Sequence, residues 1–244
     1  MPHLIGYFPG GGGASGPKKK AFADCTWEEV SEICKAGLAG QYWNIGDTKE
    51  MIYGDSTKML RIIGFDHDIV SDPTTYGRDK AGITLELVQV SVDLQSKWLG
   101  TNYTSGQWYT SKDNCHSVIR KTLLPNYRNE VIPQYLSDVI VDVQKEFMND
   151  SGAIRTVSDS LFILSANEIF GTYASGDGSE GTQYAYYTAG NSKIKKNTSD
   201  TAIMYWTRSK RYNKGFVYYV GTTGSIAEKS LIEEGLYAVP CMCI

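Results

Sequence analysis

The pattern of apolar and polar positions opens with a helix. Trp27, Val30, Ile33 and Cys34 fall on one helical face. Thr26 and Glu29 supply a capping box in front of it, and Gly37 a left-handed stop behind it. A strand-rich stretch follows. Gly46-Asp47-Thr48 reads as a turn, and residues 51–53 and 58–66 as a hairpin connected through Gly54-Asp55. Residues 82–92 form a further strand, with Ile83, Leu85, Leu87 and Val90 alternating. A second helix is expected from Ser111, with Cys115, Val118, Ile119 and Leu123 inward and Pro125 at its end. Residues 139–147 and 160–165 read as strands, and residues 166–170 as one helical turn. Residues 172–200 are polar and glycine-rich. Three short strands close the chain at 202–208, 215–220 and 236–243. Two helices, small sheets and long loops predict an α+β domain over residues 25–244.

Residues 1–24 break the pattern. Pro9-Gly10-Gly11-Gly12-Gly13-Ala14-Ser15-Gly16-Pro17 offers no regular structure of its own, and Lys18-Lys19-Lys20 follows it. The apolar head Leu4-Ile5-Gly6-Tyr7-Phe8 suits an extended arm that orders against a partner. A signal peptide is not expected, because this start is short and glycine-rich.

Composition narrows the function. The 244 residues are 41% apolar, enough for a substantial core. A formal net charge of −3 argues against general nucleic-acid binding. No run reaches the roughly 18 apolar residues of a membrane span. The five cysteines, Cys25, Cys34, Cys115, Cys241 and Cys243, cannot all pair within one chain. Free buried thiols are expected, with Cys241 and Cys243 on one strand face. The 17 tyrosines suit either binding surfaces or strands.

Candidate chemistry is sparse. Asp66-His67-Asp68 has metal-ligand residue types, but consecutive residues rarely converge on one point, so a structural turn is favoured. Cys115 and His116 diverge on a helix and make no nucleophile–base pair together. Asp159, Glu168 and Glu180 are carboxylates whose bland role is capping and loop anchoring. No phosphate loop, nucleophile elbow or dinucleotide fingerprint is present. The reading is therefore non-enzymatic, with no catalytic residue, metal or cofactor. Trp206 and Arg208 are assigned to the frame of the domain. Lys210, Arg211, Tyr212, Tyr218 and Tyr219, with Tyr184 and Tyr186, form the candidate ligand surface, because aromatics stack and arginine gives directed donors.

Several ordered motifs carry a resemblance. They include Trp27-Glu28-Glu29-Val30-Ser31-Glu32-Ile33, Gly64-Phe65-Asp66-His67-Asp68, and Trp108 with Arg120. Further along come Leu164-Ser165-Ala166-Asn167-Glu168-Ile169-Phe170-Gly171, Glu180-Gly181-Thr182-Gln183-Tyr184 and Trp206-Thr207-Arg208-Ser209. Together they resemble an uncharacterised C-type lectin-like domain family of phages and prophages of Gram-positive bacteria. Lys210 stands where that family usually has proline, and the terminal Pro240-Cys241-Met242-Cys243-Ile244 is an altered form of its ending. The resemblance implies a C-type lectin-like fold with Trp27, Trp108, Arg120, Trp206 and Arg208 as structural motif residues. It also implies a phage virion protein, made in the bacterial cytoplasm, that displays this domain to a host-surface glycan or protein. Residues 1–24 would anchor it to other virion proteins, and a homo-oligomer is expected. The alternatives are a capsid decoration or head-fibre protein with no dedicated ligand, and a cell-wall enzyme.

Overall fold

The first helix, α1 (Trp27–Lys35), starts where its capping box dictates. The Thr26 hydroxyl accepts from the Glu29 amide, and the Glu29 carboxylate accepts from the Thr26 amide. Trp27, Val30 and Cys34 are buried along its inner face. Gly37, at φ +72°, lets the chain turn away, as a residue with a β-carbon would not readily do. The computed structural model describes residues 19–96, 117–148, 152–171, 180–211, 216–230 and 235–244.

Helix α1 packs beside a five-stranded antiparallel sheet. Its order is β1 (Thr48–Tyr53), β2 (Ser56–Phe65), β3 (Ile83–Leu87), β15 (Cys241–Cys243) and β8 (Leu161–Phe162). The first two strands form the expected hairpin, with Tyr53 opposite Ser56. All of β3 is buried, so its apolar run lies covered on both faces. The last strand sits between β3 and β8, with Met242 opposite both Leu85 and Leu161.

A second five-stranded sheet runs β13 (Ile226–Ser230), β12 (Phe216–Val220), β11 (Tyr205–Lys210), β14 (Leu236–Tyr237) and β5 (Gln95–Ser96). A three-stranded sheet joins β10 (Ala202–Ile203), β9 (Lys195–Asn197) and β4 (Gln89–Val90), and β6 (Val143–Met148) pairs with β7 (Ile154–Asp159). Trp27, Trp43 and Trp206 are buried in one continuous core. The architecture is mixed α+β, with several small sheets and few helices. Among the described residues no helix is long and apolar enough to cross a membrane.

Three expectations are corrected. Pro125 does not end the second helix. A π turn, Ile119–Leu123, leads into α2 (Leu124–Glu130), and Pro125 lies in the first turn of α2, where its missing N–H costs little. The expected start of that helix, residues 111–116, lies outside the described residues. The described part of residues 172–200, from 180 onward, is more regular than its polarity suggested, holding α4 (Ala185–Thr188), which follows α3 (Ala166–Phe170), and strand β9. The folded body also begins before Cys25. Phe22 is buried against Trp43, with ring centroids 5.1 Å apart, and Trp43 Nε1 donates to the Lys20 carbonyl.

Candidate functional site

Two buried ionic clusters organise the core. Thr84 and Glu86 lie two apart on β3 and so share a face, opposite Cys243 and Cys241 of β15. Glu86 is ion-paired with Arg61 of β2 and, at 2.6 Å, with Lys195 of β9, and it accepts from the Tyr187 hydroxyl at 2.7 Å. Burial pushes the Glu86 carboxyl up, but Lys195 and Arg61 outweigh it and hold it below the ordinary range.

The second cluster centres on Lys145 of β6. Its ammonium lies 2.6 Å from Asp68 and 2.7 Å from Glu168. Asp68 also accepts from the hydroxyls of Tyr184 and Thr84 and from the Cys243 thiol. Burial opposes its charge most strongly, yet Lys145 and His67, with the hydrogen bonds from Lys145 and Thr84, together outweigh burial and hold the carboxyl well below the usual range. Glu168 closes a second capping box with Ser165 and binds both terminal nitrogens of Arg208. The Arg208 guanidinium is saturated. Nε donates to the Glu146 carbonyl, Nη1 to Ile163 and Glu168, and Nη2 to Glu168 and the Glu180 carbonyl. The Glu180 carboxylate accepts from the Met148 amide at 2.6 Å, and burial pushes its pKa up to about 7. These acids and bases are engaged by one another, and the arrangement fixes where β3, β6, α3, β11 and the start of the Glu180 segment meet.

Of the described residues of the candidate ligand surface, Tyr184, Tyr186, Tyr218 and Lys210 are buried, and Tyr219 and Arg211 are partly exposed. Tyr184 is wholly buried on Asp68 and Lys145, and its ring stacks on His67 at 3.9 Å. Tyr186 is buried with its ring 4.0 Å from the Arg61 guanidinium. Tyr218 is buried in β12, and Tyr219 is half-buried. Lys210 belongs to β11 and is buried, not part of an exposed loop as expected. Arg211 is half-exposed and grips Glu228 at 2.6 Å. Tyr212 lies outside the described residues, as do Trp108, Cys115 and His116. Short strands and a single helical turn gave no periodicity long enough to tell inward from outward positions, and the polar, glycine-rich surroundings of Tyr184 suggested exposure.

The other assigned positions are structural in their contacts. Trp27 and Trp206 are buried, the latter donating from Nε1 to the Ser96 carbonyl at 2.8 Å. Arg120 pairs with Asp159 at 2.7 Å. Asp66, at φ +46°, turns the chain and binds Arg78, while Asp68 points into the ionic cluster. Among the described residues no group of three or more His, Cys, Asp or Glu side chains could hold a metal ion. Lys145, Lys195, Arg61 and Glu86 had no role in the expectations drawn from sequence. Their signal was a charge set in an apolar strand run, as in Ile83-Thr84-Leu85-Glu86-Leu87.

An open groove lies between the start of α1 and the edge of the first sheet. It has a volume of about 730 Å³ and is lined by Trp27, Glu28, Lys49, Glu50, Ile52 and Tyr135, among others. Lys49 ties its walls together, donating to the Ala23 carbonyl at 3.1 Å and to the Cys25 carbonyl. Ile52 is 54% exposed and Tyr135 39% exposed. The Tyr135 hydroxyl accepts from the Ile52 amide at 3.0 Å and donates to the Ile52 carbonyl at 2.9 Å.

Residues 96–244 match the model of a family described as Domain of unknown function (DUF6273). No curated protein matches the chain. No solved structure matches it either.

Proposed function

The chain belongs to the DUF6273 family, and from that premise we propose that it is a non-enzymatic binding module whose ligand seat is the groove between α1 and β1. The observation that carries this reading is the groove itself. It is an open cleft of ligand-sized volume, it presents exposed Ile52 and Tyr135, and rigid elements form its walls. The buried ionic clusters support the same reading. They use the acids and bases of the core to hold strands together, leaving a stiff frame for display. Buried tryptophans, few helices and small sheets are in keeping with a C-type lectin-like scaffold. In this reading the module is part of a phage virion, the ligand is a host-surface glycan or protein, and the N-terminal arm joins the particle.

The test uses the full-length protein on a glycan array and in pull-downs with Gram-positive cell walls. Binding that falls at least about tenfold, or 1.4 kcal/mol, in Ile52→Asp and Glu50→Lys supports the groove. Uniformly absent binding by a folded protein, both as the wild type and with Leu4→Asp and Phe8→Asp together, overturns the reading, and so does binding indifferent to both groove substitutions.

A further inference from the structure

Strand β1 is an edge strand, with β2 on one side and the groove on the other. The Ile52 amide and carbonyl both face the groove, since both meet the Tyr135 hydroxyl. The two-residue repeat of a strand turns the backbone groups of Glu50 and Thr48 the same way. No described backbone group outside the sheet ladder hydrogen-bonds to either residue. An edge of this kind accepts an extended polypeptide as an added strand.

The chain carries a segment suited to that seat. Leu4-Ile5-Gly6-Tyr7-Phe8 is apolar and uncharged, like the groove face offered by Ile52, Met59 and Trp27. The described chain begins at the groove. Lys20 is pinned by Glu29 at 2.6 Å and by Trp43, and Ala23 and Cys25 line the wall. Ten residues separate Phe8 from Lys19. As a glycine-rich coil they span about 18 Å, and at full stretch about 33 Å, which covers the length of a six-residue strand of about 20 Å. Charge agrees as well: Lys18 and Lys19 precede the acidic rim set by Glu28 and Glu50.

We propose that residues 4–8 of the same chain lie in this groove as a strand added to β1, hydrogen-bonded to the outward backbone of Thr48 and Glu50. A tether this short holds the segment near its seat at millimolar effective concentration, so docking within the chain outcompetes docking between copies. The inference rests on the groove being a binding seat. It adds that the seat is occupied until the arm is drawn elsewhere, as attachment of residues 1–18 to a particle would do.

The test is amide hydrogen exchange on the full-length protein. Residues 4–8 are expected to exchange at least about tenfold more slowly than Gly10–Gly13, because only paired amides are protected. Glu50→Pro removes an outward donor at an edge position that tolerates proline, and it abolishes that protection while β2 and β3 stay protected. Leu4→Asp combined with Phe8→Asp speeds exchange over residues 47–52. Unprotected residues 4–8 in the wild type overturn the proposal, as does protection that survives Glu50→Pro. Protection lost on tenfold dilution overturns it in favour of a second copy. Ligand capture that survives Ile52→Asp defeats the ligand-seat reading alone, and leaves the exchange result to stand or fall by itself.

Discussion

The Arg208 guanidinium grips both carboxylate oxygens of Glu168, at 2.5 and 2.7 Å, while the same carboxylate caps the helix that carries it. One side chain therefore sets the start of α3 and the position of β11 together. Arg208→Met leaves Glu168 buried with only Lys145 to offset its charge. The expected loss is about 3–5 kcal/mol of folding stability, since a buried ion stripped of a partner keeps its desolvation cost. Urea denaturation measures it, and a loss under about 1 kcal/mol would mean that water reaches Glu168.

Stability is expected to change with pH in two opposite steps. Asp68, Glu86 and Glu168 have carboxyls held below their ordinary values. Their contribution is complete above about pH 5 and is lost as the pH falls through and below the ordinary carboxyl range, where the unfolded chain takes up protons first. Glu180 runs the other way. Its folded pKa is raised by burial from 4.5 to about 7. Between those values the unfolded chain ionises while the folded chain keeps its proton, so stability falls as the pH rises and levels off above about 7. The full effect is roughly 3 kcal/mol as an upper bound. Glu180→Gln should flatten the slope between pH 5 and 7 in a series of chemical denaturation curves. A wild type already flat across that window would contradict the assignment.

Gly82, just before β3, lies close against Cys34 of α1. A β-carbon there would stand 2.5 Å from Cys34 Cβ and 2.6 Å from its Cα. Backbone and helix would both have to move, so Gly82→Ala is expected to cost about 3 kcal/mol or slightly more. Cys34→Ala alone does not relieve it, because the α-carbon and β-carbon at position 34 stay where they were. Thermal unfolding of the single and double variants checks both statements.

Thiol chemistry separates the cysteines. Cys25, Cys34, Cys241 and Cys243 are buried and free. Burial pushes the Cys34 thiol up to about 12 and raises the other three. None of these four is expected to react with an aromatic disulfide reagent at pH 8 until the protein is denatured. Labelling followed by peptide mapping reads this directly, and rapid native modification of Cys241 or Cys243 would count against the packing of β15.

The parts legible in the sequence were those with a local signature. Thr26 with Glu29 announced α1, Gly54-Asp55 the hairpin, and the spacing of Cys241 and Cys243 a shared buried face. The candidate site was not legible in the same way. Glu168 could be read as a cap, but its grip on Arg208, forty residues away in the chain, depends on tertiary packing that no local pattern records. Tyr184 was placed on a surface because its polar, glycine-rich surroundings suggested exposure, yet its hydroxyl answers Asp68 across 116 residues. Strands β7 and β13 were missed because they carry few apolar residues, as in Ile154-Arg155-Thr156-Val157-Ser158-Asp159. The groove escaped notice because it is made of an edge, a property of the assembled sheet.

Tyr135 gives that edge a stop. With one hydroxyl it occupies both backbone groups of Ile52, as the last rung of a neighbouring strand would. What remains of the outward-facing backbone of β1 belongs to Thr48 and Glu50. A side chain without the hydroxyl, as in phenylalanine, would lengthen the runway and align it with the exposed face of Ile52. The tyrosine thus shortens the stretch of β1 backbone left open to any further strand.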